Sequence, residues 1–180
     1  MLAIARRRPA AVALLLAPLA IVAGCGGRPA PLPPVELDAC ALLLPQEADA
    51  AAGETMQPMA SEVDRSQGLG DVKCTYATYD VPPRIVSLEV RRFATPRAAA
   101  SAQAQTASYL RSLARGVVEP VAGLGEQAVW AGASVEQLHV QSGRLRLIVT
   151  VQLGPEGGRP AAARTIAERA LQRLVERQAL

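Results

Sequence analysis

Aromatic side chains are scarce in this chain: Tyr76, Tyr79, Phe93, Tyr109 and Trp130 are all it has, 3% of 180 residues. Its core must therefore be filled by aliphatic residues and alanine, and alanine buries little area per residue. Histidine occurs once, at His139, and the three cysteines form no Cys-x-x-Cys pair. The usual zinc ligand sets are thereby excluded, so we expect no metal and no cofactor. No Gly-x-Ser-x-Gly elbow and no Ser-x-x-Lys run is present, which removes the common serine-nucleophile signatures. An excess of one charge is also missing beyond the first 24 residues. The formal +3 comes from Arg6, Arg7 and Arg8, and past them 16 bases face 16 acids. A near-neutral domain offers no electrostatic basis for nucleic-acid binding. Long hydrophobic runs are lacking too. Residues 10–23 are apolar but broken by Pro18. As a helix those 14 residues rise only ~21 Å, short of a ~30 Å hydrocarbon core.

What is there begins with a targeting segment. A basic n-region, a short apolar h-region and small residues before a cysteine read as a signal peptide over residues 1–24 rather than a membrane anchor. Val22-Ala23-Gly24-Cys25 resembles the lipobox of bacterial lipoproteins, with Val22 where Leu is commoner. The resemblance implies that the Cys25 thiol carries a diacylglyceryl group and becomes the first residue after cleavage. Acyl chains then hold the protein on the extracytoplasmic face of a bacterial membrane. The alternative is an ordinary secretory peptide cut near a cysteine. Residues 25–37 include Gly-Gly-Arg-Pro-Ala-Pro-Leu-Pro-Pro. Proline lacks an N–H and fixes φ, so this stretch reads as an extended tether lifting the domain up to ~40 Å from the bilayer. Residues 38–180 form one domain.

With Cys25 lipidated, Cys40 and Cys74 remain, and an even pair in an exported chain reads as a disulfide. Its loop is worth roughly 3–4 kcal/mol in the chain-entropy model.

Along the domain, Pro45 starts a helix that Gly53 ends, although Leu44 offers no capping oxygen. Residues 72–79 and 85–93 alternate as an antiparallel pair of strands. Thr95-Pro96 opens a helix reaching residue 114, with Ala99, Ala102, Thr106, Tyr109, Leu110 and Leu113 inward. Short strands follow at 117–121 and 127–130. Residues 135–141 and 144–153 form a hairpin about Ser142-Gly143. In its second arm, Leu145, Leu147, Val149, Val151 and Leu153 line one face, while Arg144, Arg146, Thr150 and Gln152 are expected to meet water. A final helix over 160–179 has Ala163, Ile166, Ala167, Ala170, Leu171, Leu174 and Val175 inward; Arg164, Glu168, Arg169, Gln172, Arg173 and Glu176 face out. The fold class predicted is α+β, an antiparallel sheet of about five strands with helices packed on one face.

Asp38-Ala39-Cys40-Ala41-Leu42-Leu43, the stretch to Gly53, Cys74-Thr75-Tyr76 and Gly123-Leu124-Gly125-Glu126-Gln127-Ala128-Val129-Trp130 are similar to small actinobacterial lipoproteins grouped by a domain of unknown function. Leu44 stands where those proteins have Ser or Thr. The resemblance implies a lipid-anchored extracytoplasmic α+β domain, a Cys40–Cys74 bridge and a Mog1/PsbP-like sheet-and-helix arrangement. It implies no activity.

Candidate chemistry is thin. His139 lies mid-strand, where a solvent-facing place is expected; as a general base it needs a nucleophile and an orienting acid. Gly-Leu-Gly-acid occurs at Gly68 and Gly123 but lacks the lysine and the helix of a phosphate loop, so both read as turns. Asp71 and Glu126 lie in or beside those turns, with nothing to pair them. Trp130 is expected in the core. Arg91, Arg92, Arg144 and Arg146 form a basic strip if their strands are neighbours, fit for phospholipid headgroups or an acidic partner. The function expected is non-enzymatic binding of an unknown envelope protein or small ligand at unknown residues. The alternative is an envelope hydrolase or transferase acting on glycans or lipids.

Overall fold

A computed structural model describes residues 37–59, 62–64, 71–113, 116–132, 135–154 and 159–177, with backbone alone for Glu62–Asp64. The leader, Cys25, most of the tether and the Gly68 turn lie outside the described residues. A three-ten turn, Ala39–Ala41, is capped by Asp38, whose carboxylate accepts from the Cys40 N–H at 2.9 Å. Helix α1 follows at Pro45–Ala52. Strands β1 (Gln57–Pro58), β2 (Glu62–Asp64), β3 (Asp71–Ala77) and β4 (Ile85–Arg92) precede α2 (Pro96–Ser112). Then come β5 (Val117–Pro120), β6 (Gln127–Gly132), β7 (Glu136–Ser142), β8 (Leu145–Gln152) and α3 (Pro160–Glu176).

All pairings are antiparallel, in the order β1-β3-β4-β8-β7-β6-β5, with β2 also pairing β3. The sheet thus has seven strands in a row plus a short eighth, where about five were expected. The additions are the two-residue β1 and three-residue β2, in a stretch too polar and too short to show period-2 alternation. The chain leaves the middle of the sheet after β4 and crosses through α2 to the far edge. It then returns by the β5-β6-β7-β8 meander, until β8 closes against β4 over eight register pairs, Ile85↔Gln152 to Arg92↔Leu145.

One face of the sheet is apolar. Val72, Cys74 and Tyr76 of β3, Val86, Leu88 and Val90 of β4, Leu138 and Val140 of β7 and the odd-numbered β8 residues 145–151 point the same way. Against them pack Leu42, Leu43, Ala48 of α1 and Ala163, Ile166, Ala167, Ala170 and Leu174 of α3. Leu171 joins this layer, but Val175 is exposed, one position past the stripe. The Cys40–Cys74 disulfide is formed, its Cα atoms 5.0 Å apart, and it ties the three-ten turn to β3. Tyr76 donates its hydroxyl to the Leu43 carbonyl at 3.4 Å.

The helices do not share one face. α2 covers the opposite side, over β5 to β8, where Arg146 reaches its Ala102 carbonyl and Thr106 hydroxyl. Its buried row is Ala99, Gln103 and Ala107, whereas Tyr109, expected inward, is 65% exposed. The reason is polar: Gln103 at i+4 from Ala99 donates to the His139 carbonyl at 3.1 Å, so the helix turns its alanine–glutamine row to the sheet instead of its bulkier residues. Helix α1 overcomes its missing cap in a related way. Leu44 has no acceptor to offer, but Glu47 accepts from the Leu44 N–H at 3.1 Å, which supplies the reciprocal half of a capping box.

Candidate functional site

The polar face beneath α2 carries the chemistry. Alternation places Asp71, Lys73 and Thr75 of β3, Ser87, Glu89 and Arg91 of β4, Arg146, Ile148 and Thr150 of β8 and Gln137, His139 and Gln141 of β7 on that side. Of these, His139, Arg146 and Thr150 were expected to meet water. Instead His139 is 4% exposed, Arg146 5%, and Ser87, Gln141 and Thr150 are buried as well. Local period-2 patterning cannot distinguish a solvated face from one roofed by a helix, and α2 is the roof.

Register brings the four arginines together as two pairs and not as one strip. Arg91 on β4 lies directly opposite Arg146 on β8, and Arg92 lies opposite Leu145, beside the exposed Arg144. The Phe93 N–H donates to the Arg144 carbonyl at 2.8 Å, which continues the pairing past β4. Arg91 is balanced by carboxylates: its Nε bonds Glu89 and lies 3.5 Å from Asp71. Arg146 is not balanced in that way. Its Nη1 donates to the Thr106 hydroxyl at 2.8 Å and to the Ala102 carbonyl at 3.3 Å, its guanidinium lies 5.7 Å from the centre of the Phe93 ring, and its buried Nε has no partner. Burial, and then the Arg91 charge, push the Arg146 pKa down; burial and Arg144 do the same to Arg92. Arg91, Arg92, Phe93, Arg146, Asp71 and the α2 residues Ala102, Gln105 and Thr106 enclose a cavity of about 260 Å³.

His139 lies next to this cluster. Burial, followed by the Arg146 and Arg91 charges, lowers its pKa to about 4, and both ring nitrogens lack a hydrogen-bond partner. A general base needs a nucleophile and an acid bonded to it, and His139 has neither among the described residues. Its expected solvent-facing place is corrected to a buried, neutral one.

The other residues singled out by sequence have structural places. Glu126 braces the β7–β8 turn, accepting from the Gly143 N–H and the Gln141 amide at 2.9 Å each. Asp71 lies by Arg91, so the two carboxylates serve different strands. The Gly123-Leu124-Gly125 segment is a turn; Gly125 has φ +58, and a Cβ there would lie 2.5 Å from the Gln141 carbonyl oxygen. Trp130 is buried in the core, with its indole N–H 3.3 Å from a Glu136 carboxylate oxygen. Tyr79 and Val81 stand almost fully exposed in the β3–β4 turn, beside a cis Val81–Pro82 bond.

A second cavity, about 360 Å³, lies between α1 and α3. There Glu47 accepts from Arg173 at 2.7 and 2.8 Å and from Arg169 at 3.2 Å. Burial alone would raise the Glu47 pKa, but the Arg173 bond, the Leu44 N–H and the Arg169 bond outweigh it and hold the carboxylate below its ordinary range. Arg169 faces out as expected, whereas Arg173, also expected to face out, is half-buried against Glu47. The sequence showed Glu47 only as a first-turn acid; nothing local to α3 marks its arginines as partners of a helix 122 to 126 positions away. Two arginines, Arg169 and Arg173, meet Glu47 and Glu176 around this groove, so its charges match. At the α2 cavity Arg91 takes both Glu89 and Asp71, and Arg146 has no bonded carboxylate among the described residues. No group of three or more His, Cys, Asp and Glu side chains among the described residues is placed to hold a metal ion. No protein-family model matches the chain, and no curated protein does either.

Proposed function

We propose that this chain is a lipid-anchored lipoprotein on the extracytoplasmic face of a bacterial membrane, whose domain binds a small ligand or an envelope protein without catalysing a reaction. The observation that carries this reading is the Cys40–Cys74 disulfide. It points to an oxidising compartment, and it leaves Cys25, in its lipobox-like setting, as the one cysteine for lipid attachment. No described helix is long and apolar enough to cross a membrane, so the acyl chains would be the attachment. Residues 25–37 are the spacer and residues 38–180 the binding domain, an α+β unit of the Mog1/PsbP-like kind. The cavity under α2, with its arginines and no carboxylate bonded to His139, supports binding over hydrolysis.

The test is membrane fractionation of cells producing the full chain, with labelled palmitate. Wild type should pellet with membranes and incorporate label. Cys25→Ala should abolish labelling and block maturation, whereas globomycin, which blocks cleavage after acylation, should leave a labelled, uncleaved precursor. A mature, unlabelled protein in the soluble fraction of wild-type cells would sink the proposal.

A further inference from the structure

We infer that the cavity between α2, β4 and β8 is a binding site for a phosphate group, with Arg146 at its base. This deepens the ligand-binding reading above and rests on it. Arg146 is 5% exposed, points to the α2 wall and bonds only neutral oxygens there. A buried guanidinium with no bonded carboxylate is costly, and the nearby Glu89 and Asp71 charges, both engaged by Arg91, offset its desolvation only in part. Its Nε–H remains unpartnered, and the cavity wall offers no second carboxylate beyond Asp71, which lies by Arg91. Across the sheet, Arg91 faces it in register, and Arg92 lines the same space.

The Arg91 and Arg146 guanidinium groups, opposite one another in register at this cavity, present fork-shaped donors that match the several acceptor oxygens of a phosphate. The Thr106 hydroxyl, already 2.8 Å from Arg146, is a further donor or acceptor at the wall. At about 260 Å³ the cavity is larger than the phosphate itself, so the group arrives attached to something, either a soluble phosphorylated molecule or the glycerophosphate headgroup of a lipid. The α1–α3 groove differs, because Glu47 takes both of its arginines and leaves neither without a bonded carboxylate.

The full chain, purified in non-ionic detergent, is titrated by calorimetry with inorganic phosphate, glycerol 3-phosphate and short-chain dihexanoyl phosphatidylglycerol, against chloride at equal ionic strength. Saturable binding of at least one phosphate probe is expected, together with a rise in melting temperature that chloride does not give. Arg146→Gln should weaken that binding by about tenfold or more, the loss of one charge-assisted bond. Because Arg146 is buried, Arg91→Gln provides a second variant, its side chain 36% exposed; it too should weaken binding, and Arg164→Gln on α3 should not. Binding of glycerol 3-phosphate assigns a soluble source, and binding of the short-chain lipid alone assigns a headgroup. Absence of saturable binding by all three probes overturns the inference, as does binding that both folded variants retain in full. The titration reads the cavity whether or not Cys25 is acylated, and fractionation reads the anchor, so the two claims fail separately.

Discussion

The two faces of the central sheet differ in how they are held, although the same strands build both. Beneath α1 and α3, Leu88, Val90, Leu147, Val149 and their neighbours pack on Ile166, Leu174 and alanines, and the polar atoms of Tyr76 and Trp130 in this layer are hydrogen-bonded. Beneath α2, an alanine–glutamine row covers Arg146, His139, Gln141 and Thr150, with Nε of Arg146, both nitrogens of His139 and Oε1 of Gln103 and Gln141 unpartnered. Apolar burial stabilises without regard to direction, whereas a polar group contributes only when its partner is in place. The first face therefore holds the fold, and the second stores unmet polar demand, which is what a binding site needs.

Neighbouring positions on β8 give the sharpest way to break this comparison. Leu147→Ala should cost about 2–5 kcal/mol by urea unfolding, through lost transfer energy and a cavity. Arg146→Met, one residue away, should stay within about 1 kcal/mol of wild type or gain stability, since removal of a partly compensated buried charge is often neutral or favourable. A large loss in the second variant would mean that the polar face is structural after all. The disulfide belongs to the apolar side, as Cys74 is buried in that core. Replacing both Cys40 and Cys74 by Ser should lower stability by roughly 3–4 kcal/mol, and reduction of wild type should do the same. An unchanged melting temperature would show that packing alone holds the three-ten turn to β3.

Acid should act first on the polar face. His139 has its folded pKa lowered from 6.5 to about 4, so the unfolded chain binds more protons between those values. Stability should therefore fall as pH drops through that window, by about 3 kcal/mol in all, and His139→Leu should lose that dependence. Glu47 has a depressed pKa, so its contribution is present above 4.5 and fades as pH falls through its lower folded value. A urea-unfolding series from pH 8 to pH 4 separates the two. The smallest effect is on the surface: Arg164, exposed on α3, bonds Glu168 at 2.8 Å and the Ala122 carbonyl at 3.1 Å, and Arg164→Ala should cost under about 1 kcal/mol.

Much of the local structure was legible. Thr95-Pro96 opens α2 with the Thr95 hydroxyl accepting from the Ala98 N–H at 3.1 Å, Gly53 ends α1 at φ 79, and the β7–β8 hairpin turns at Gly143-Arg144, one residue past the expected Ser142-Gly143. The gathering of arginines was legible as a possibility conditional on strand order. The buried row of α2 was not, because two rows of a helix rich in alanine are equally small, and only the sheet beneath selects between them. Nor was the role of Glu47, whose partners come from the last helix of the chain.

Sequence alone determined the three helices, the longer strands, most of the turns and the leucine–valine face of β8, because each depends on neighbours a few residues away. Tertiary structure decided which side of the sheet each helix covers, and with it the fate of His139 and Arg146. A side chain's solvent exposure depends on what lies across from it, and here that is a helix some 40 residues distant in the chain.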